Sequence, residues 1–321
     1  MAADFWSSTQ RMNWQFSRDS LKDARRELSL LENTMEQSEL ISKVKVNYDL
    51  YMRIYIHSLV NKLGRRLNVR QIALSTAEVY LLRFLTKVSL KEVNLYLLIT
   101  TSIYLSCKIE ECPQHIRTIV SEARNLWPEY IPHDATKVAE FEFYLIEEMD
   151  TYLIVHHPYR SLLLINEVLS NYNQSHKSEG HNHNNNSNNN NDTSQPFALS
   201  PEELQSCWSI INDSYVTDLP LIHAPHIIAS ASIFLTIVLK YNHLKHISKD
   251  SLKNSKPNTM ITEEYLKSGF LKNFIKFLGY SNIDLGGVIE AVQELITLYE
   301  IWETYDESSC KKPLESVLLN R

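Results

Sequence analysis

The sequence has 321 residues, of which 44% are hydrophobic and 22% are charged, with a formal net charge of −6 at pH 7. This length leaves room for about two domains, and the mildly acidic balance argues against a protein that binds nucleic acid through a basic face. The six glycines form no GxGxxG or Walker pattern and the four cysteines form no CxxC pair, which argues against the common nucleotide-binding enzymes, zinc ribbons and disulfide scaffolds.

Helical periodicity dominates the first half of the chain. Leucines spaced among charges predict an amphipathic helix over 11–33. Further helices are predicted over 46–63, 69–87, 94–110, 114–126 and 135–153. Gly64 is expected to cap the first of these five helices, and Asp134 is expected to begin the last one. The five helices follow one another closely and predict one compact helical domain.

The segment 94–110 is apolar or small on nearly every side, yet it runs into the charged stretch SCKIEECPQ. A helix that is apolar all round is normally the centre of a helical body, so its charged end is expected where a buried rod reaches the surface. Lys108 stands at this end, where the helix dipole favours a cation, and Glu142 is a single acid among the apolar residues of FEFYLIEEM. Such a pair of charges suits an interface that needs orientation as well as burial; an ordinary intramolecular pair is the alternative.

The second half of the chain opens with a tract of Asn, His and Ser over 171–196. We predict a disordered insertion here, because the tract cannot bury enough apolar surface to offset chain entropy. Helices are predicted over 201–217, 225–241, 261–278 and 283–304, with a polar connection over 242–259 and a frayed tail over 305–321. The stretch IIASASIFLTIVLK echoes IALSTAEVYLLRFL of the first half, which suggests a weak internal repeat of one helical unit.

No catalytic arrangement is found in the sequence. It contains no GxSxG, no HExxH and no cysteine with a placed histidine partner. His156 and His157 are expected to have a structural or surface role, and the histidines of the asparagine tract are expected to be solvated rather than metal ligands. The longest apolar runs fall short of a membrane-spanning helix, and no secretory signal is expected at the start. The sequence therefore predicts no catalytic residue, no metal site and no cofactor.

The run from Met52-Arg53 through Lys108-Ile-Glu-Glu111 to Glu142 resembles the first box of the cyclins, with an MRAIL-like opening, a KxEE motif and a later glutamate. FWSSTQ, RRLNVRQIALSTAEVYLLRF and FEFYLIEEMDTYLIVHHPYRSL resemble the fungal C-type transcriptional cyclins. The resemblance implies an all-α fold of two tandem five-helix cyclin boxes with an additional N-terminal helix. The implied ranges are an N-terminal helical extension at 1–44, a first box at 45–160, a second box at 200–304 and a flexible tail at 305–321.

A kinase-docking face follows from this resemblance. In the family, the KxEE lysine and the fifth-helix glutamate contact the kinase around its C-helix, and they correspond to Lys108 and Glu142. Ile109, Ile146 and Leu153 fall at the family's apolar contact positions beside them. Trp6, on the N-terminal extension, is expected to pack on the box or directly against the kinase.

The partners implied by the resemblance are a cyclin-dependent kinase catalytic subunit and other subunits of the Mediator kinase module. The chain would be a non-catalytic regulatory subunit that acts in the nucleus on RNA polymerase II transcription, without direct contact to nucleic acid or membrane. The sequence does not decide whether the complex represses or activates transcription.

Two departures from the family pattern concern a second surface. The acid that partners the MRAIL arginine is replaced by Leu82, so Arg53 lacks that partner, and the tryptophan and glutamate of the substrate-docking groove become Leu59 and Lys62. The remaining apolar groove is lined by Met52, Tyr55, Ile56, Leu59, Leu95 and Tyr96. We expect weak or no binding of basic-hydrophobic substrate motifs there.

A different class of protein is the alternative. General transcription factors of the B type use two similar helical boxes to hold promoter DNA. That hypothesis requires a zinc ribbon and a basic face, whereas this chain has no CxxC pair and is acidic.

Overall fold

The computed structural model describes residues 4–34, 46–178, 198–251 and 270–319. Every regular element within these ranges is helical, which confirms the predicted all-α class. The α-helices are α1 (Thr9–Trp14), α2 (Arg18–Thr34), α3 (Leu50–Arg66), α4 (Gln71–Phe84), α5 (Leu95–Ile109), α6 (Ile116–Leu126), α7 (Thr136–Glu148), α8 (Pro158–Ser178), α9 (Pro201–Ser214), α10 (Leu219–Ile222), α11 (Pro225–Ser251), α12 (Phe270–Tyr280), α13 (Leu285–Glu303) and α14 (Glu307–Leu319). A 3₁₀ turn over Phe5–Ser7 precedes α1. Across the described ranges, no helix has the length and hydropathy needed to cross a membrane.

Two compact units make up the chain, and the first contains the described parts of 1–157, 213–224 and 294–321. Helix α5 is the centre of this unit: Leu98, Ile99 and Ile103 have no exposed surface, and the helix packs against α3, α4, α6 and α7. Buried threonines and serines on α5 leave room for these neighbours to approach. The prediction that 94–110 is the buried centre of a helical body is confirmed.

Gly64 does not cap α3, so that prediction is wrong. The helix continues to Arg66, and a Cβ atom built on Gly64 would lie 2.5 Å from Leu74 Cδ2. Here glycine is needed for the close approach of α4, and not for a left-handed turn. The helix ends at Arg66 with Leu67 as its C-cap, and the next residue, Asn68, has a φ of 50°, which lets Val69 N–H donate to the Gly64 carbonyl at 3.0 Å.

The N-terminal segment forms two helices and not the single helix predicted over 11–33. Between α1 and α2, Phe16 N–H donates to the Leu221 carbonyl at 2.7 Å, and the Ser17 hydroxyl accepts from Ser20 N–H at 3.1 Å. A backbone N–H that bonds to another segment cannot also serve a helix, so the chain breaks here and restarts with Ser17 as a capping residue. Helix α2 then buries Leu21 against Leu82 and Leu221.

The tail is helical and packed, in contrast to the flexible segment predicted over 305–321. Helix α14 buries Cys310, Leu314 and Val317, which are spaced as one face of a helix, and it packs on α3. The interior Pro313 and the charged surroundings concealed this pattern in the sequence. Residues 320–321 lie outside the described ranges.

The second compact unit contains the described parts of 158–212 and 225–293. In it α11 packs against α8 and α12, and Tyr159 stacks on Trp208 with ring centroids 4.4 Å apart. Helix α11 continues to Ser251 and α8 continues to Ser178, so the predicted connection at 242–259 and the predicted insertion at 171–196 both begin as helix. The rest of the insertion and residues 252–269 lie outside the described part of the chain. By their contacts, 213–224 and 294–304, two parts of the predicted second box, group with the first unit.

Candidate functional site

Lys108 is positioned by the way α5 ends. Glu110 is the C-cap residue, Glu111 has a φ of 51°, and Cys112 N–H donates to the Cys107 carbonyl at 2.9 Å. This is the hydrogen bond of a Schellman motif, formed here without the usual glycine. The last turn of a fully buried helix is thereby held at the surface, and it carries Lys108 where the negative end of the helix dipole favours a cation.

Helix α7 ends in the same manner and carries the second charge. Asp150 has a φ of 52°, and Thr151 N–H donates to the Ile146 carbonyl at 3.0 Å. The next residue, Thr151, also has a positive φ of 64°, which is uncommon for a β-branched side chain. The C-terminal ends of α5 and α7 are therefore both fixed by backbone hydrogen bonds, in which residues other than glycine adopt the left-handed conformation.

The two charges meet in the structure. Lys108 Nζ lies 2.5 Å from Glu142 Oε1, and the lysine side chain is 41% exposed while the glutamate side chain is 10% exposed. Lys108 Nζ also lies 4.7 Å from the centroid of the Tyr104 ring, within the range of a cation–π contact. The pairing brings together the two residues predicted from the sequence and leaves the Lys108 side chain partly exposed.

The three apolar residues predicted for the docking face are partly buried. Ile109, Ile146 and Leu153 are half-buried at the edge of the core of the first unit. The loop with Leu153 is fastened to α4, because the Tyr80 hydroxyl donates to the Leu153 carbonyl at 2.6 Å and Arg83 Nη1 donates to the Tyr152 carbonyl at 2.8 Å.

Phe143 was missed by the sequence analysis. It follows Glu142 in the chain and is 74% exposed. The signal that it is a surface residue is helical spacing, since Val138, Glu142 and Leu145 form the buried face of α7 and Phe143 does not fall on that face.

The N-terminal segment packs on the rest of the first unit, and its two tryptophans differ in exposure. Gln10 Oε1 accepts from His156 N–H at 2.6 Å, and Phe5 meets His156 edge-on with centroids 5.9 Å apart. Trp14 is 2% exposed and Trp6 is 55% exposed. The Arg11 guanidinium carbon lies 5.2 Å from the Trp6 ring centroid. Trp14 is thus a core residue, and Trp6 presents its ring on the same segment that contacts the loop after α7.

The predicted apolar groove is not open in the structure. Its six lining residues, Met52, Tyr55, Ile56, Leu59, Leu95 and Tyr96, are all buried. Helix α14 packs on α3, and Tyr130 stacks on Tyr96 with centroids 4.6 Å apart. The sequence could not show this cover, because the covering residues are remote from the groove in the chain.

Titratable groups elsewhere in the first unit are structural. Burial lowers the pKa of His157 to about 3, and both of its ring nitrogens are occupied, by Thr76 Oγ1 at 2.7 Å and by the Tyr215 hydroxyl at 2.6 Å. Burial raises the pKa of the Cys107 thiol to about 12, with Cys112 as a second cause, so this thiol is a poor nucleophile. No group of His, Cys, Asp and Glu in the described ranges could hold a metal ion.

Sequence comparison adds relatives along the whole chain. The cyclin N-terminal domain profile matches residues 23–154. A Debaryomyces hansenii protein named RNA polymerase II holoenzyme cyclin-like subunit is 50% identical over 100% of this chain and 99% of its own length. Proteins of the same name are 61% identical in Candida albicans, over 75% of this chain and 52% of that protein, and 43% identical in Saccharomyces cerevisiae, over 99% and 98%.

Solved structures share the fold at low identity. A chain of the yeast TFIIK complex superposes with a TM-score of 0.54 and 17% identity, over 91% of this chain and 100% of that one. A chain of the CAK complex of Chaetomium thermophilum gives 0.53 and 16%, over 92% of both chains. These two likenesses support the helical architecture.

Proposed function

The full-length relatives and the N-terminal domain match show that the chain belongs to the cyclin family. We propose that it is the regulatory subunit that binds and activates a cyclin-dependent kinase in RNA polymerase II transcription. The relatives are named as cyclin-like subunits of the RNA polymerase II holoenzyme. This naming favours a transcriptional kinase over a cell-cycle kinase, and it favours the kinase subunit over the B-type transcription factor. We place the complex in the nucleus, within the kinase module of Mediator.

The observation that carries the proposal is the pair of Lys108 and Glu142 at the surface end of a buried helix. Lys108 lies in the last turn of α5 and Glu142 lies within α7. Ile109 on α5, Ile146 on α7 and Leu153 in the loop after α7 are partly buried apolar residues of the same unit. An interface of this kind has an apolar centre for affinity and charges for register. In the isolated chain the two charges satisfy each other, and on docking Lys108 can exchange part of this contact for acceptors on the kinase.

The role of the chain would be to position the kinase and not to react. A protein kinase is competent when its C-helix glutamate pairs with the strand-three lysine and its activation loop is ordered. A rigid helical body that binds the active arrangement better than the inactive one shifts the equilibrium toward the active arrangement. The fixed ends of α5 and α7 provide such a rigid surface. The chain itself supplies no group to phosphoryl transfer.

Reversal of the buried charge tests the proposal. Glu142→Arg should weaken binding to the partner kinase by a factor of about 30 or more, because loss of one member of a buried interfacial charge pair costs about 2 to 5 kcal/mol. Glu147→Arg, on the same helix at an exposed position, is the matched control and should bind normally. Affinity is measured by calorimetry, and activation by phosphorylation of a polymerase tail peptide.

A charge swap separates docking from folding. The double variant Lys108→Glu with Glu142→Lys keeps an intramolecular pair, so its unfolding midpoint should match the wild type. If the pair orients the kinase, the swapped variant should still fail to bind. Recovery of binding in the swapped variant would assign the pair to structure alone and place the docking surface elsewhere.

A further inference from the structure

Helix α14 covers the apolar face that α3 would otherwise present. Cys310, Leu314 and Val317 are the buried residues of α14, and they belong to the same hydrophobic core as Met52, Tyr55, Ile56 and Leu59 of α3. Their spacing of four and three residues places them on one side of the helix. The opposite side carries Lys311 and Lys312, which are exposed. An amphipathic helix thus lies in an apolar groove, which is a recurring mode of peptide recognition.

Polar contacts surround this apolar seam. Lys62 Nζ on α3 lies 3.0 Å from Glu307 Oε1 at the start of α14. The Tyr51 hydroxyl lies within hydrogen-bond distance of Thr304 Oγ1 at 3.1 Å. Burial and a hydrogen bond to Glu315 raise the pKa of the Tyr130 hydroxyl. The cation on α3 and the acids on α14 have opposite charges. Burial of apolar side chains and charge attraction therefore both favour α14 as the segment that fills the groove of α3.

The helix depends on the groove for its own formation. It has 13 residues with Pro313 in its interior, and proline neither donates to the Ser309 carbonyl nor fits the preceding turn well. A helix of this length is marginal in water even without a proline. Asp306 caps its start by accepting from Ser309 N–H at 3.2 Å. Docking and helix formation are therefore coupled, and release from the groove also releases the helical order.

We propose that α14 is a detachable strap that occupies the apolar groove of α3 in cis and keeps that groove closed to other apolar peptides. The Lys62–Glu307 pair that closes one end is about half exposed on both sides, so it is weak. Three buried side chains and the partly buried Leu318 hold the seam. Helix α3 also packs on α4, α5 and α6, so the first unit retains its core when the strap leaves. The inference does not depend on the kinase-docking face, because none of its residues belongs to that face.

The chain's own sequence provides the probe. A labelled peptide of residues 306–319 should bind the Leu314→Asp variant, in which a buried charge expels the strap, at least tenfold more tightly than it binds the wild type, whose groove is filled. Leu319→Asp is the matched control: Leu319 lies on the same helix and is 72% exposed, so this variant should exclude the peptide as the wild type does. A peptide that itself carries Leu314→Asp should bind none of the proteins.

Hydrogen exchange supplies the second readout. Amides of α14 should be protected in the wild type and should exchange at least tenfold faster in Leu314→Asp, while those of α4 and α5 keep their protection. Equal peptide binding by both proteins, or no binding to a folded Leu314→Asp variant, would overturn the proposal. Unfolding of the whole first unit by Leu314→Asp would show an integral core helix instead of a strap.

A protease site inserted between Tyr305 and Asp306 avoids dependence on that substitution. After cleavage, excess labelled peptide should displace the wild-type strap and take its place, with the first unit still folded. Loss of the fold upon displacement, or no displacement at any peptide concentration, would refute the strap.

Discussion

Arg53 and Asp218 lie 165 residues apart in the chain, and Arg53 Nη1 donates to Asp218 Oδ1 at 2.7 Å. The same carboxylate accepts from both terminal nitrogens of Arg25, at 2.5 and 2.8 Å. Tyr48 lies beneath both guanidinium groups, with its ring centroid 4.8 Å from the Arg53 carbon and 5.7 Å from the Arg25 carbon. Leu82 stands where the family has the arginine's acid, and the structure supplies another acid from a distant segment.

Asp218→Asn should therefore destabilise the first unit strongly. Burial by itself raises the pKa of Asp218. Arg25 and Arg53 lower this pKa by more than burial raises it, so the pKa of Asp218 is below its ordinary range. Removal of the negative charge leaves two largely buried cations without compensation, which costs about 3 to 5 kcal/mol. Urea unfolding measures the loss. Asp23→Asn, in the exposed pair with Arg26, is the control and should change stability by less than about 1 kcal/mol; equal effects of the two substitutions would contradict the central role of Asp218.

Gly64→Ala should destabilise the chain although alanine is the better helix former. The new Cβ would lie 2.5 and 2.7 Å from the two Leu74 methyl carbons, and Leu74 is itself buried. Overpacking costs about 1 to 3 kcal/mol, which exceeds the gain in helix propensity of about 1 kcal/mol. Gly279→Ala is the matched control, since nothing lies within 4 Å of its added Cβ. The denaturation midpoint should fall for the first variant and hold or rise for the second; a rise for both would disprove the steric argument.

The two tryptophans of the N-terminal segment should behave differently. Trp14→Ala removes a buried ring that lies 5.1 Å from the charged groups of Arg83 and Lys87, and should cost about 3 to 5 kcal/mol of stability. Trp6→Ala should leave stability within about 0.5 kcal/mol, yet weaken kinase affinity about tenfold or more if Trp6 contacts the kinase. Leu30→Ala, at another exposed apolar position, controls for loss of surface area. Unchanged affinity of Trp6→Ala would rule out the kinase contact.

Because of His157, the free energy of unfolding should decrease at acidic pH. Burial, together with the positive charges of His156 and Arg83, lowers the pKa of His157 from 6.5 to about 3. Above 6.5 both folded and unfolded chains hold it neutral, whereas between 6.5 and 3 only the unfolded chain gains the proton. Stability is therefore complete above the unfolded pKa and is lost as pH falls toward the folded value, by at most about 1.4 kcal/mol per pH unit.

The measurement for His157 is the slope of unfolding free energy against pH between about pH 6.5 and pH 4.5. His157→Gln keeps hydrogen-bonding capacity without this titration and should show a shallower slope than the wild type. Identical slopes for wild type and His157→Gln would mean that His157 does not titrate differently on unfolding.

Local pattern was sufficient to predict the five helices of the first predicted box, α3 to α7. The predicted segments 69–87 and 94–110 agree with α4 and α5 to within a few residues at each end, because helical periodicity and capping residues act over a few turns of chain. The continuous apolar character of 94–110 also identified the central helix. The same pattern marked Lys108 and Glu142 as charges in apolar surroundings, and the structure brings them into contact.

Only the tertiary structure shows which distant segments of the chain contact each other. Periodicity tells which face of a helix is apolar, but it does not tell which distant segment covers that face, and so α14 was taken for a frayed tail and Gly64 for a cap. Asp218 gives no local sign that it binds Arg25 and Arg53. By itself, the sequence determined the five helices α3 to α7 and which of them is central, because those properties follow from neighbours in the chain. The pairing of Arg53 with Asp218 and the closing of the α3 groove by α14 were decided by folding, because each joins segments whose only relation is complementary charge and shape in space.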